Sequence, residues 1–197
     1  MKKFYPLRLL LLLFFTLSIS LASISASVDS AFQAESSKIL LGLGIIDNSK
    51  TGSTLLKKKI IKHEYISLVV KMLSLDEEKD TENIQLPYKD VDKTHKAYNN
   101  IKIAYKYGIL SGDEGSTLLP NGYISYSGAL GMVLNGLGYS GMIKDMSPED
   151  VIKTATDLGV TEKASISASK QISYGEAYVI VNNSLLVDFY TQNNSSN

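Results

Sequence analysis

The chain has no cysteine and no tryptophan, only two histidines and four prolines, and Arg8 is its one arginine. Without cysteine, neither a disulfide framework nor a thiolate metal site can form, so stability has to come from packing. With one guanidinium, the forked donors that supply much of a nucleic-acid binder's affinity are missing, which excludes nucleic acid as a partner. Charge of one sign is lacking too, since basic and acidic side chains stand at 20 each.

What is present begins at the N-terminus. Lys2, Lys3 and Arg8 precede an apolar run that opens on Leu9–Leu13, Phe14 and Phe15 and extends to about Leu21; Ser20, Ala22, Ser23, Ser25 and Ala26 then supply small residues. That order reads as a secretory signal over 1–26, cleaved near Ala26. Left uncleaved it would be an anchor, the one membrane contact expected of this chain. No cysteine follows it to be acylated. Cleavage leaves about 170 residues, enough for one domain with its own core. It also leaves 17 lysines against 20 acidic side chains, a net charge of −3.

Three turn signatures then recur: Leu43-Gly44-Ile45, Tyr107-Gly108-Ile109 and Leu158-Gly159-Val160. Each follows a helical stretch, expected over Ser30–Leu43, Thr94–Tyr107 and Pro148–Leu158, where glycine can take the left-handed conformation that ends a helix. Downstream of each, at intervals of 16, 16 and 13 residues, Ile60, Ile124 and Ile172 open a second helix. Counted from those isoleucines, apolar or small residues align at Tyr65/Ala129/Ala177, Leu68/Met132/Ile180, Val69/Val133/Val181, Met72/Gly136/Ser184 and Leu73/Leu137/Leu185. Such spacing is one stripe on a helix. Ser125, Ser173 and Ser147 are N-cap candidates, Ser173 with Glu176 as a capping box, while Ile61 leaves its helix uncapped. A unit recurring every fifty to sixty residues or so means repeat architecture. The divisions are 27–85, 86–140 and 141–190, with a polar tail, 191–197, expected to be disordered. The charged segment Asp76–Gln85 is expected to be an exposed linker.

The run Tyr88-Lys89-Asp90-Val91, His95, Ala97, Ile101, Ala104, Gly108-Ile109, Gly112, Gly115, Leu119-Pro120-Asn121 and Ile124 resembles an S-layer homology repeat, with two more diverged copies flanking it. That resemblance implies an all-α module of three helix–loop–helix repeats with pseudo-threefold symmetry. It also implies non-covalent attachment of exported proteins to a secondary cell-wall polysaccharide, held in grooves between the repeats. The family's binding motif, I-T-R-A-E, falls on Ile60–Glu64, Ile124–Gly128 and Ile172–Glu176. Its arginine becomes Lys62, Tyr126 and Tyr174; its glutamate persists as Glu64 and Glu176 and is Gly128 in the middle copy; its tryptophan position is Lys96. Lysine offers a point charge where arginine offers a flat fork, and tyrosine can stack on a sugar or donate one hydrogen bond but cannot neutralise an anion. The polymer-binding residues expected on this basis are Lys62, Glu64, Tyr126, Tyr174 and Glu176. Lys62 is expected to contribute most, because the first copy alone keeps both a cation and the carboxylate.

Sharper motifs fail on inspection. His63-Glu64 opens an H-E-x-x-H helix, but Ser67 stands where the second zinc-binding histidine belongs. Asp47–Gly52 imitates a calcium loop whose twelfth position is Lys58 rather than a carboxylate, and reads as a turn. Ser167-x-x-Lys170 and Lys50-Thr51-Gly52 occur in the wrong order, and without S-D-N, for a penicillin-recognising enzyme. Asp113 and Glu114 are adjacent in a turn, not opposed across a sugar ring. No enzyme activity, cofactor or metal is expected. The tyrosines Tyr105, Tyr107, Tyr123, Tyr126, Tyr139 and Tyr174 suit either a sugar platform or packing between helices, and Lys57–Lys59 either an anion site or a solvated face. Two functions remain open: attachment at the bacterial surface to an anionic wall polysaccharide, or a structural domain of the same fold that contacts another envelope protein.

Overall fold

The computed structural model describes residues 30–164, 166 and 168–190. The expected signal segment and the tail lie outside them. The described residues are helical, with isolated bridges in place of any sheet. A first helix, α1, covers 30–42. It is followed by α2 (Ser53–Leu56), α3 (Lys62–Met72), α4 (Tyr98–Lys106), α5 (Tyr126–Gly136), α6 (Ser140–Ile143), α7 (Pro148–Asp157) and α8 (Tyr174–Ser184). None of these is long and apolar enough to cross a membrane.

Three helices of 11 residues each, α3, α5 and α8, occupy the centre and contact one another pairwise. Their burial explains why their sequences are apolar almost all round. In α3 Tyr65, Ile66, Leu68, Val69 and Val70 are all buried, as are Ala177 through Val181 in α8. By contrast α7 buries only Val151 and Ala155 and keeps its charged face outward, as a helix packed on one side should. The caps act as their chemistry dictates. Ser125, Ser147 and Ser173 accept first-turn N–H groups, Glu176 completes the box at α8, and Ile61 supplies no side-chain bond to α3.

The central helices begin two residues after the isoleucines expected to open them, at the starts that the N-cap positions Ile61, Ser125 and Ser173 mark. Ile60, Ile124 and Ile172 lie instead in short extended segments that close on one another. Ile60 N–H bonds Ile172 O at 3.1 Å, Ile172 N–H bonds Ile124 O at 3.2 Å, and Lys62 N–H bonds Gly122 O at 2.8 Å. Each isoleucine is thereby buried at the head of its helix. Helix α4 also starts late, at Tyr98 rather than Thr94, because the Asp92 carboxylate captures the Thr94 N–H and hydroxyl in a preceding turn. The 76–85 segment is largely exposed and tied down at three points: Lys106 bonds Asp80 O at 2.8 Å, Tyr107 donates to Glu78, and Thr81 is buried against Asn99.

The three turn glycines take φ of +73°, +68° and +80° at Gly44, Gly108 and Gly159. At the first and third, the next residue's N–H reaches back five residues, Ile45 to Leu40 and Val160 to Ala155, closing the helix end. Gly108→Val is therefore expected to lower stability by about 1–3 kcal/mol, since a β-branched residue at positive φ is strained. Gly141 is exposed, has no positive φ and has open space around it, so Gly141→Val should cost much less. Comparing the two variants' denaturation midpoints checks the difference; equal midpoints would contradict the turn assignment.

Candidate functional site

The first motif helix and the last meet in a cavity. Glu64 on α3 and Tyr174 on α8, 110 residues apart, are joined by the Tyr174 hydroxyl donating to Glu64 Oε2. The other carboxylate oxygen, Oε1, takes Lys50 Nζ at 3.2 Å. Lys50 also sits 5.6 Å above the centre of the Tyr174 ring, and its own carbonyl receives the Tyr178 hydroxyl at 3.1 Å. These groups line an open cavity of about 280 Å³, walled by Ile45, Ile46, Ile60 and Leu68 and rimmed by Lys71, Lys96 and Asn100. Its lining includes three lysines against two carboxylates, Asp47 and Glu64, and Asp47 is occupied in capping Ser49.

The electrostatics follow from these contacts. Partial burial works to raise the Glu64 pKa, but the Tyr174 hydroxyl and the Lys50 ammonium outweigh it and hold the carboxyl below its usual range. Tyr174 is pushed the other way, first by burial and then by its bond to the carboxylate, so it stays a neutral donor. Glu64 is thus the ionised pivot that fixes a cation and an aromatic face side by side. An apolar wall, an aromatic face and several cations suit a sugar carrying negative charge.

The remaining expected site residues are placed elsewhere. Lys62 does not line the cavity; its Nζ donates to Leu118 O at 2.6 Å, near Asp90. Asp90 in turn accepts the Leu118 and Leu119 N–H groups at 2.8 and 2.7 Å, so Lys62 helps hold the loop before α5. Tyr126 is fully buried at the start of α5, beside Thr161. Glu176 is bound to the Ser173 N–H at 2.6 Å and to Lys170 at 3.3 Å. Of the other tyrosines, Tyr139 is buried and stacks on Tyr190, while Tyr107 and Tyr123 are exposed. Lys57–Lys59 lie off the cavity.

The sequence pairs Glu64 and Tyr174 only as separate copies of a motif, and gives no sign that Lys50, Lys71, Tyr178 and Asn100 line the same cavity. Lys50 was legible as part of a turn and Lys96 as a lost tryptophan, but neither position signals that it faces Tyr174 or Glu64.

Comparison with known proteins gives concordant matches. Residues 87–127 match the S-layer homology domain. The chain is 24% identical over 155 residues to the middle cell wall protein of Brevibacillus brevis, covering 79% of this chain and 15% of that one. It is 28% identical over 130 residues to a cell surface protein of Thermoanaerobacter kivui, covering 65% and 16%, respectively. It is 22% identical over 125 residues to the surface layer protein of Brevibacillus choshinensis, covering 64% and 11%. The chain therefore spans about a sixth or less of the length of these relatives.

Proposed function

We propose that the chain is an exported, non-catalytic module of three S-layer homology repeats that attaches to an anionic secondary cell-wall polysaccharide at the bacterial surface. The observation that carries this reading is the α3–α8 cavity, where Glu64 of one motif copy holds Lys50 against the Tyr174 ring of another. Support for three repeats comes from the three equal central helices, the positive φ shared by the turn glycines Gly44, Gly108 and Gly159, and the closed ring of extended segments before α3, α5 and α8. The match over 87–127 and the surface proteins among the relatives support attachment at the cell envelope.

Within this reading the polymer lies along the cavity wall beside Tyr174, whose ring is largely buried under Lys50, and Lys50, Lys71 and Lys96 meet its negative charge. Glu64 orients Lys50 and Tyr174 and accepts sugar hydroxyls. Lys62, Tyr126 and Glu176 frame the site without touching polymer. A second reading, a structural domain that contacts another envelope protein, is favoured by the closed state of the middle motif, whose Tyr126 is buried. Sedimentation with purified walls of the producing organism separates the two. The protein is expected to pellet with polymer-bearing walls at low salt, to stay in solution with walls stripped of the polymer, and to be released as salt screens the lysines. Protein that remains in the supernatant with polymer-bearing walls would favour the structural reading.

A further inference from the structure

Two donors from one residue hold Pro120 O at the head of α3: the His63 N–H at 3.0 Å and the ring Nδ1 at 2.9 Å. A carbonyl can only accept, so Nδ1 carries the proton and the neutral ring leaves Nε2 bare. That nitrogen is buried and has no hydrogen-bond partner among the described residues. The loop that His63 holds is strained. Leu119 stands at φ +54°, a left-handed conformation that a residue with a side chain keeps only when its surroundings impose it. The surroundings here are few. Besides the His63 bonds, Lys62 N–H reaches Gly122 O at 2.8 Å, Lys62 Nζ reaches Leu118 O at 2.6 Å, and the Asp90 carboxylate holds the Leu118 and Leu119 N–H groups. His95 packs edge-on to His63 at 5.0 Å and bonds Asn121 of the same loop at 3.2 Å.

We propose that His63 is an acid-sensitive clasp: neutral, it keeps the 118–122 loop closed on the head of α3, and a proton taken up at Nε2 lets the loop open. Protonation adds a charge and a second N–H at a buried point that offers it no acceptor. The new N–H reaches water only if the ring swings out, which breaks the Nδ1 bond to Pro120 and releases the strain at Leu119. Because His63, Glu64, Lys96 and Ala97 also line the α3–α8 cavity, the cavity wall loosens with the loop. The charged groups around the ring are Glu64 on α3 itself and His95 and Lys96 ahead of α4. Burial is the largest influence on the ring and keeps its pKa below the ordinary histidine value. Lys96 and His95 act in the same direction, while the Pro120 bond and Glu64 oppose it. An opened or unfolded chain lets histidine titrate near about 6.5, so the open form binds more protons than the closed one. Closure is therefore at full strength above about pH 6.5 and weakens as the pH falls. Glu64 and Asp90, both held below their usual carboxylate ranges, stay ionised in that window. The clasp is a property of the fold and does not depend on what the cavity holds.

The test uses the full mature protein. Amide hydrogen exchange at Lys62 and His63, whose N–H groups bond the loop, reports its opening once the pH dependence of intrinsic exchange is removed. Protection should fall about tenfold between about pH 7.5 and pH 5, close to one proton taken up on opening. In His63→Asn the side-chain amide can keep a bond to Pro120 and nothing titrates, so protection should change less than about twofold over the same range. His95→Gln should retain the wild-type fall. NMR titration of the wild-type imidazoles gives a readout that needs no variant. The chain has only two histidines, and the His63 ring should titrate below about 6.5. Wild-type protection that does not fall in acid overturns the clasp. So does a fall that persists in His63→Asn or vanishes in His95→Gln. If His63→Asn does not fold, the imidazole titration decides: a His63 midpoint at or above about 6.5 overturns the proposal.

Discussion

Tyr65→Ala is expected to lower stability by about 3–5 kcal/mol, the range for truncating a large aromatic side chain in a packed core. Tyr65 is 0% exposed on α3, and its hydroxyl reaches across to Ala129 O on α5 at 3.0 Å. At the matching positions of the other central helices stand Ala129 and Ala177, both 0% exposed. One large side chain thus fills space beside two small ones where the three helices meet. Its removal leaves a void that alanines cannot fill, since each helix start is fixed by the ring of bonds through Ile60, Ile124 and Ile172. Tyr65→Phe keeps the volume and loses only the bond to Ala129, so it should cost about 0.5–1.5 kcal/mol. Tyr123→Ala, at a tyrosine 53% exposed, should stay within about 0.5 kcal/mol of wild type. Thermal denaturation orders the three: a midpoint drop on the order of 10 °C for Tyr65→Ala, and little change for Tyr123→Ala. A Tyr65→Ala protein as stable as Tyr123→Ala would contradict the packing described here.

The central stripe, the serine caps and the turn glycines could be read from the sequence because each is a local event. Ser173 needs only Glu176 three residues on, and Gly108 needs only its own φ. The isoleucines expected to open the central helices lie two residues ahead of them because Ile60 is bonded to Ile172, a partner that no local pattern announces. The short helices α2 and α6 and the anchoring of 76–85 escaped notice for related reasons. Four-residue helices carry too little periodicity to register, and Glu78 is tied down by Lys106 and Tyr107 on another element. The site divides the same way. Lys62, Tyr126 and Tyr174 hold one position of one motif, yet only Tyr174 faces the cavity. Tyr126 N–H bonds Lys170 O and the neighbouring Ser127 bonds Ala168 O, so the middle motif lies under the 168–170 segment. Such differences are made by chain that packs from elsewhere, and identical motif positions cannot encode them.

The largest binding effect is expected at Lys50, which displaces Lys62 from the place that the motif alone would give it. Lys50 is 36% exposed in its side chain, 3.2 Å from Glu64, and over the Tyr174 ring. Lys50→Glu would set two carboxylates side by side on the cavity floor, removing a charge-assisted contact to an anionic sugar and adding repulsion. A loss of about 2–3 kcal/mol follows, roughly thirty- to one-hundred-and-fifty-fold in affinity. The fold should tolerate it, because a partly exposed ion pair contributes only about 0–1 kcal/mol to stability. Lys62→Ala, off the cavity, should change affinity less than threefold or so. The most direct measurement is calorimetric titration of the released wall polysaccharide into wild type, Lys50→Glu and Lys62→Ala at low salt. Wild type and Lys62→Ala are expected to bind, and Lys50→Glu to lose binding almost entirely. Equal binding by Lys50→Glu and wild type, or a loss confined to Lys62→Ala, would contradict placement of the polymer in the α3–α8 cavity.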